Sequence, residues 1–347
     1  MFFFYMSSGL FLGWSLGAND AANVFGTAVG SRMIRFRTAS VCCCIFLILG
    51  AVMGGGGTSH TLGKLGSVNA LAGAFVVAFA AALSVYLMIL AKWPVSTSQA
   101  VVGAIVGWNA FAGNATDFHI LTSIVVTWVA CPLLSAAFAI TTYKLIGRAL
   151  RFYRVPLFTL DRATRNGLLL AGVFGSYALG ANNIANVVGV FLPAAPFRDV
   201  VLFGLLPVSA AQQIFFLGGI AVSVGVFTYS RRVMENAGGG IFKMSPMMAL
   251  VAVWSHSLVL FLFSSQGLAQ FLTAHGLPKL PLVPVSSSQA IVGAIIGMGL
   301  IKGGKAIRWR MVGGITCGWA ITPVLAGLVS FICLFIAQNV FLQTVFL

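Results

Sequence analysis

Charged residues are the scarcest class in this sequence. Asp, Glu, Lys and Arg make up 7% of its 347 residues, and five of these charged residues are acidic. A soluble globular domain contains about 25% charged residues, so the composition excludes one. The hydrophobic share of 59% and the mean hydropathy of +1.02 instead predict several membrane-spanning helices.

Catalytic and metal-ligating patterns are also missing. No serine stands with a histidine and an acid in a nucleophile arrangement, so an enzyme, including an intramembrane hydrolase, is not expected. His60 and His256 are interpreted as loop or packing residues rather than proton relays. The cysteines lie in apolar segments without metal-type spacing and are interpreted as small buried hydrophobic residues without disulfides. They are Cys42, Cys43, Cys44, Cys131, Cys317 and Cys333.

Long apolar runs separate the basic residues. The net charge of +15 is spread between these runs, so it indicates membrane topology and not nucleic acid binding. Residues 1–6 lack the positive charge and cleavage site of a signal peptide, and we expect the first run to remain as a span. A helix needs about 20 apolar residues to cross the hydrocarbon core. The candidate spans are 4–28, 38–57, 68–92, 94–113, 120–143, 165–190, 198–228, 247–272, 284–301 and 311–346.

A basic linker divides the chain at 144–165. Its cations are Lys144, Arg148, Arg151, Arg154, Arg162 and Arg165. The positive-inside rule places this linker in the cytoplasm and, with ten crossings, both termini outside. The other basic clusters then fall on the same side: Arg32, Arg35, Arg37, Arg231, Arg232, Lys243, Lys302, Lys305, Arg308 and Arg310. Lys64, Arg198 and Lys279 are single exceptions.

Three segments of the first half occur again in the second. The matched pairs are 16–23 with 179–186, 94–107 with 284–297, and 128–132 with 319–323. The sequence therefore predicts two repeats, 1–143 and 166–347. Five crossings per repeat make the orientations opposite, as in the inverted repeats of many secondary transporters. If the segments at Pro94 and Pro284 are re-entrant hairpins, the count changes, to as many as 12 segments.

The second repeated segment has the composition of a helix start. Proline suits the first helical turn and serine or threonine suits the cap, so the free N–H groups of the helix point toward these polar side chains. Such a start binds anions, and two facing starts could hold one tetrahedral oxyanion. The alternative is that the small residues serve close helix packing. The candidate residues are Ser96, Thr97, Ser98, Gln99, Ser286, Ser287, Ser288 and Gln289.

The first repeated segment places amides and one acid inside apolar runs. A carboxylate near the bilayer midplane costs roughly 2.5 to 3.5 kcal/mol, so Asp20 is expected to have a cation, a partner or a cavity. Oxygen ligands suit hard cations, and helix breaks at Gly17 and Gly180 would add free carbonyl groups. The alternative is a set of interhelical amide hydrogen bonds. The candidates are Asn19, Asp20, Asn23, Asn182, Asn183 and Asn186.

These motifs resemble those of the inorganic phosphate transporter family, the PiT-type permeases. The duplicated Gly-Ala-Asn-Asp-x-Ala-Asn motif and the Pro-Val-Ser-x-Ser-Gln segments carry the resemblance, which spans about residues 10–330. It implies phosphate transport driven by sodium or protons, without another cofactor, through an inverted-repeat fold that dimerises.

The resemblance also implies roles for the candidate residues. Cations would bind at Asn19, Asp20, Asn182 and Asn183. The one metal ion implied is Na⁺ at Asp20. The Ser-Gln helix starts, together with Asn23 and Asn186, would bind the phosphate oxygens.

One position departs from the family pattern. Asn183 stands where the family usually has a second Asp, so fewer coupling cations are expected. A carboxylate can accept the proton of hydrogen phosphate, whereas sulfate has none to give, and some relatives with motifs poorer in acids carry sulfate. Asp20 favours phosphate, with sulfate as the alternative.

The sequence thus predicts an all-α polytopic membrane protein with about 10 transmembrane segments in two inverted repeats with broken helices. The predicted function is phosphate symport across the plasma or inner membrane. An anion channel or a non-transporting sensor on the same scaffold is the alternative from another class.

Overall fold

The fold is built almost entirely from helices. A computed structural model describes residues 1–66, 68–91, 95–153, 155–202, 204, 206–236, 244–278 and 280–347. Predictions that rest on Pro94, Arg154, Lys243 and Lys279 lie outside these residues.

Seven α-helices precede the 3₁₀ helix that begins at Gly189. They are α1 (Phe2–Gly30), α2 (Phe36–Gly54), α3 (Gly56–Leu65), α4 (Leu71–Leu90), α5 (Thr97–Ala112), α6 (Phe118–Tyr153) and α7 (Leu157–Val188). A short 3₁₀ helix (Gly189–Ala194) and the strands β1 (Val200–Leu202) and β2 (Leu206–Val208) follow. The remaining helices are α8 (Ala210–Thr228), α9 (Ser230–Asn236), α10 (Pro246–Ser264), α11 (Gln266–Ala274), α12 (Ser287–Ile301) and α13 (Trp309–Asn339).

Seven helices in the described part of the chain are long and apolar enough to cross a membrane. They are α2, α4, α6, α7, α8, α10 and α13. Helix α1, with 29 residues, is long enough to cross but is not among these seven. These helices confirm a multi-pass all-α membrane protein. The count of 10 to 12 segments and their inverted orientation stay predictions.

Helices α5 and α12 are shorter than full spans. Their 16 and 15 residues rise about 24 and 22 Å, against a hydrocarbon core of roughly 30 Å. Near the end of α5, Trp108 donates its Nε1–H to the Val345 carbonyl at 3.1 Å, and Gly73 at the start of α4 packs against the same two residues. Helices α4 and α5 thus form an antiparallel pair, and both the full span at 94–113 and the re-entrant alternative stay predictions.

In the second half of the chain, α10 and α12 form the pair that corresponds to α4 and α5. Met248 near the start of α10 and Met298 near the end of α12 lie in one buried apolar cluster. The two ends of this pair therefore also lie together, although α11 extends the connection between them.

The expected span at 198–228 is wrong in its first third. An antiparallel hairpin pairs Val200 with Val208, and helix α8 begins only at Ala210. A capping box explains the late start: the Ser209 hydroxyl accepts from the Gln212 N–H and the Gln212 side chain accepts from the Ser209 N–H.

Two further boundaries differ from expectation. The predicted linker 144–165 is mostly helical, because α6 continues to Tyr153 and α7 begins at Leu157. The last expected span ends at Asn339, and the tail folds back so that Val345 is buried.

Cys317 is exposed on α13, contrary to the expected burial, whereas Cys43, Cys44 and Cys131 are buried.

The predicted helix breaks at Gly17 and Gly180 are wrong. Helices α1 and α7 run through both glycines. A Cβ at Gly17 would collide with the Val222 carbonyl, and one at Gly180 would collide with the Leu47 carbonyl. The glycines are therefore needed for close approach of α8 to α1 and of α2 to α7, and not for flexibility.

The two halves of the chain are intertwined. Helix α2 of the first half packs along α7 of the second, and α8 packs along α1. In the same way, α5 packs on α13 and α12 on α6: Gly103 lies against the Pro323 carbonyl and Gly293 against the Pro132 carbonyl. These reciprocal contacts bring the polar motifs of both halves to the centre of the bundle.

Candidate functional site

The starts of α5 and α12 meet at the centre. Ser96 donates its hydroxyl to the Ser286 Oγ at 2.9 Å, and these two serines are the N-caps of their helices. Ser96 Oγ accepts from the Gln99 N–H at 3.4 Å and Ser286 Oγ from the Gln289 N–H at 3.3 Å. Ser288 Oγ lies 2.9 Å from Ser286 Oγ. Two positive helix ends therefore point at one small region.

Asparagines of α1 and α7 reach the same helix starts. Asn186 donates its Nδ2–H to Ser98 Oγ at 2.8 Å, and Asn23 donates its Nδ2–H to Ser287 Oγ at 3.0 Å. Thr97 is buried in the first turn of α5. The structure thus brings the predicted serine and asparagine sets together in one polar centre made by α1, α5, α7 and α12.

Asp20 lies beside this centre between two amides. Its Oδ2 accepts from Asn183 Nδ2 at 3.2 Å and its Oδ1 accepts from Asn19 Nδ2 at 3.1 Å. The residue is 6% exposed, and among the described residues no other Asp or Glu and no Lys or Arg is buried. In the part of the chain that the structure describes, the carboxylate therefore has hydrogen-bond donors but no Lys or Arg side chain beside it.

Equivalent positions of the two repeated motifs touch each other. Asp20 and Asn183 occupy the same place in their motifs, as do Ser96 and Ser286, and each pair is hydrogen-bonded. A hydrogen bond between two equivalent residues requires the two halves of the chain to contact each other at that point. Both polar motifs therefore share one central site.

Asn182 joins α7 to the segment before α12. Its Oδ1 accepts from the Val285 N–H at 3.0 Å, and its Nδ2 donates to the Val283 carbonyl at 3.4 Å. Its equivalent Asn19 instead donates to Asp20. The two halves of the site thus differ in their hydrogen bonds.

Several acceptor oxygens in the site are buried without a hydrogen-bond partner. They are Gln99 Oε1, Gln289 Oε1, Asn183 Oδ1 and Asn186 Oδ1. Buried polar atoms are usually paired, so unpaired oxygens are suited to an additional ligand. Carboxylate and amide oxygens suit a hard cation, and the hydroxyl and N–H groups nearby suit an oxyanion.

His256 is a contact of the site that the sequence interpretation missed. It lies on α10, is fully buried, and its Nε2 is 2.9 Å from Ser287 Oγ, the hydroxyl that also receives Asn23. Its Nδ1 is buried without a partner. The repeated motifs gave no signal for it; the polar Ser-His-Ser triplet inside an apolar helix was the available clue.

The accessible surface of the site is asymmetric. Asn19, Asn23 and Ser288 are partly exposed, whereas their equivalents are buried: Asn182 at 0%, Asn186 at 1% and Ser98 at 3%. We call the partly exposed side of the site, formed by α1 and α12, the open edge. The buried side, formed by α7 and α5, is the closed edge.

Comparison with known proteins identifies the family. The model of the phosphate transporter family matches residues 16–330 and 277–345. The chain belongs to the phosphate transporter family.

Relatives in this family bear names of two kinds. A protein of Methanocaldococcus jannaschii that carries the name of a phosphate permease is 27% identical over 319 residues, which cover 91% of each chain. The sulfate permease CysP of Bacillus subtilis is 30% identical over 331 residues, covering 93% of this chain and 84% of that protein.

A solved structure shares the fold. The structure described as "The sodium-dependent phosphate transporter" has a TM-score of 0.75 and 22% identity, and the match covers 97% of this chain and 98% of that one. At 22% identity, this likeness establishes the fold alone. The chemistry of the site is argued from the side chains described above.

Proposed function

We propose that this family member is a secondary active transporter that imports inorganic phosphate together with Na⁺ or H⁺ by alternating access. The names of its relatives and the polar centre support the proposal. Each part of the site has a separate role in it.

The oxyanion lies at the two helix starts. Free N–H groups and the positive ends of α5 and α12 stabilise negative charge, and the serine hydroxyls donate to oxygens in several directions, as a tetrahedral anion needs. The amides of Asn23 and Asn186 orient Ser287 and Ser98. When the anion binds, the Ser96–Ser286 contact opens and both hydroxyls turn to it.

The charge of the site is the observation that supports coupling of anion transport to cations. Asp20 is buried without a Lys or Arg among the described buried residues, yet the proposed substrate is also an anion. Two negative groups in a low-dielectric centre repel strongly, so the anion binds only with cations that neutralise it. Asp20, Asn19, Asn182 and the unpaired Asn183 Oδ1 are the ligands we assign to them.

The partial exposure of one edge supports alternating access. Asn19 and Asn23 lie in the half of α1 that ends on the cytoplasmic side under the positive-inside orientation, so we assign the open edge to the cytoplasm. Inverted repeats produce the opposite state by exchanging the conformations of the two halves. Opening α7 and α5 while closing α1 and α12 would expose the site to the other side.

The proposal also includes the location and oligomeric state of the protein. We propose that it forms a dimer in the plasma or inner membrane.

Sulfate is the second candidate substrate. The resemblance to a sulfate permease and the missing second carboxylate at Asn183 favour it. Sulfate carries no proton at neutral pH, so it gains nothing from a carboxylate acceptor. Asp20 keeps phosphate as the first candidate.

Uptake into proteoliposomes tests the substrate. Labelled phosphate and labelled sulfate are offered separately, each with the other as unlabelled competitor, under sodium and proton gradients imposed one at a time. We expect saturable phosphate uptake that excess sulfate inhibits weakly. Saturable sulfate uptake that excess phosphate cannot inhibit would overturn the phosphate assignment.

A further inference from the structure

A large basic cavity lies at one end of the bundle, away from the polar centre. Its volume is about 990 Å³, and it lies between the start of α2 and the first turns of α7. Arg35, Arg162 and Arg165 line it together with Thr38 and Asn166.

A second cavity adjoins the first. It has a volume of about 550 Å³ and lies between the α1–α2 turn and α9. Arg35 lines both cavities, and Arg32 and Arg231 line the second. We call this continuous surface the basic groove and define it by Arg32, Arg35, Arg162, Arg165 and Arg231.

Positive charge is in excess along the basic groove. Its five arginines face two lining acids, Asp161 and Glu235. Glu235 is already paired with Arg231 at 2.9 Å. Within the described residues, the side chains of Arg35, Arg162 and Arg165 form no hydrogen bond or ion pair, so three guanidinium groups are available to an anion.

The groove lies where the helices pass from polar to lipid-exposed residues. On α7, Leu170 is 67% exposed and lies about 8 Å along the helix from Arg165. On α2, Val41 is 47% exposed and lies about 9 Å beyond Arg35. Phe158, which lines the larger cavity, is 90% exposed. Charged and apolar surfaces thus meet on α2 and α7, as is expected near the depth of the lipid headgroups.

We propose that the basic groove binds the phosphate-bearing headgroup of an anionic membrane phospholipid. The arginines hold the headgroup by charge-assisted hydrogen bonds, while Phe158 and Leu170 contact its acyl chains. A soluble phosphate compound would use the arginines but not this apolar border, so the border favours a lipid. Helix α7 is continuous from Arg162 to Asn186, so the headgroup braces the helix that carries half of the central site.

Lipid binding to purified full-length protein tests this proposal. Phosphatidylglycerol and phosphatidylcholine are titrated into the detergent-solubilised protein, and bound lipid is measured by native mass spectrometry. We expect clear preference for phosphatidylglycerol, and about 30-fold weaker binding to the double variant Arg162→Gln/Arg165→Gln, since two headgroup-level cations are lost.

A matched control removes the same charge elsewhere. Lys302→Gln/Lys305→Gln lies in the exposed turn after α12 and is expected to bind phosphatidylglycerol like the unaltered protein. Equal binding of both lipids, or unchanged phosphatidylglycerol binding to the arginine variant, would overturn the proposal. Displacement of the lipid by millimolar glycerol phosphate alone would also overturn it, because the site would then belong to a soluble anion.

Discussion

Asp20 and Asn183 show how one residue sets the charge of the site. The two side chains are hydrogen-bonded across equivalent positions, with a carboxylate on one side and an amide on the other. In a two-Asp member of the family, two carboxylates at these positions would attract more cations. The single acid leaves this chain with one negative charge fewer for the same anion.

The variant Asn183→Asp is expected to raise the number of cations that move with each anion. A second carboxylate 3.2 Å from the first would repel it unless another cation binds between them. Parallel measurement of labelled substrate and cation fluxes in proteoliposomes gives the ratio. We expect an increase of about one cation per anion.

Asp117→Asn, the opposite change of one charge at a position outside the site, is the control for this variant. Asp117 caps the exposed start of α6, where asparagine serves almost equally well. Its flux ratio should equal that of the unaltered protein. An unchanged ratio in Asn183→Asp, with intact folding, would contradict the proposed cation ligands.

His256 is expected to act as a positioning residue through Ser287. Substitution His256→Ala removes the 2.9 Å contact and leaves a buried hydroxyl with one partner fewer, at a cost of about 1 to 3 kcal/mol. We expect kcat/KM for uptake to fall about 5- to 150-fold, mainly through KM.

His256→Gln separates positioning from a structural role. Its amide can restore the contact to Ser287 and should recover much of the uptake. Ser255→Ala is the control on the same helix, because the buried Ser255 hydroxyl bonds to its own helix at the Val251 carbonyl. Equal loss in His256→Gln and His256→Ala would argue against positioning by this hydrogen bond.

At the scale of elements, backbone contact between helices depends on glycine. Gly17 and Gly180 let carbonyl groups of α8 and α2 approach the motif helices. Neighbouring helices therefore hold Asp20 and Asn183 in place, and the motif helices stay continuous. Motion for transport must then occur between packed groups of helices, or at the starts of α5 and α12.

The variants Gly17→Ala and Gly180→Ala are expected to destabilise the protein. Each new Cβ collides with a backbone carbonyl, which cannot rotate away as a side chain can, so the loss is about 1 to 3 kcal/mol. Thermal unfolding in detergent measures it.

Gly63→Ala and Gly267→Ala provide controls in helices α3 and α11. A Cβ at either position meets no atom within 4 Å, and alanine is the better helix former. These variants should unfold at the same temperature as the unaltered protein or higher. If all four variants behaved alike, close packing at Gly17 and Gly180 would be refuted.

At the scale of the whole molecule, the intertwined halves make one site with one open edge. Partial exposure of Ser288 and burial of its equivalent Ser98 distinguish the two edges. In a variant without the native cysteines, Ser288→Cys should react faster than Ser98→Cys with a membrane-impermeant thiol reagent applied from the cytoplasmic side. Mass spectrometry of the labelled protein gives both rates. Equal rates would contradict the assigned asymmetry.

The sequence predicts which polar side chains lie together better than it predicts the scaffold around them. Duplicated motifs identified the serines and asparagines, because polar residues are conspicuous in apolar helices and a repeat shows which belong together. Helices that are apolar on all sides carry little periodicity, so the sequence did not reveal that Gly17 contacts α8 or that α5 is short. His256 was missed because it has no repeated partner, and its contact with Ser287 depends on tertiary packing.

Gradient-driven accumulation tests the account most directly. Proteoliposomes containing the full-length protein receive an inward sodium or proton gradient, and internal labelled phosphate is compared with the external concentration. We predict accumulation above the external concentration under one of the gradients, its loss when an ionophore collapses that gradient, and no accumulation by the folded Asp20→Asn variant. Phosphate that only equilibrates under both gradients, as through a channel, or unchanged accumulation by Asp20→Asn, would contradict cation-coupled transport at this site.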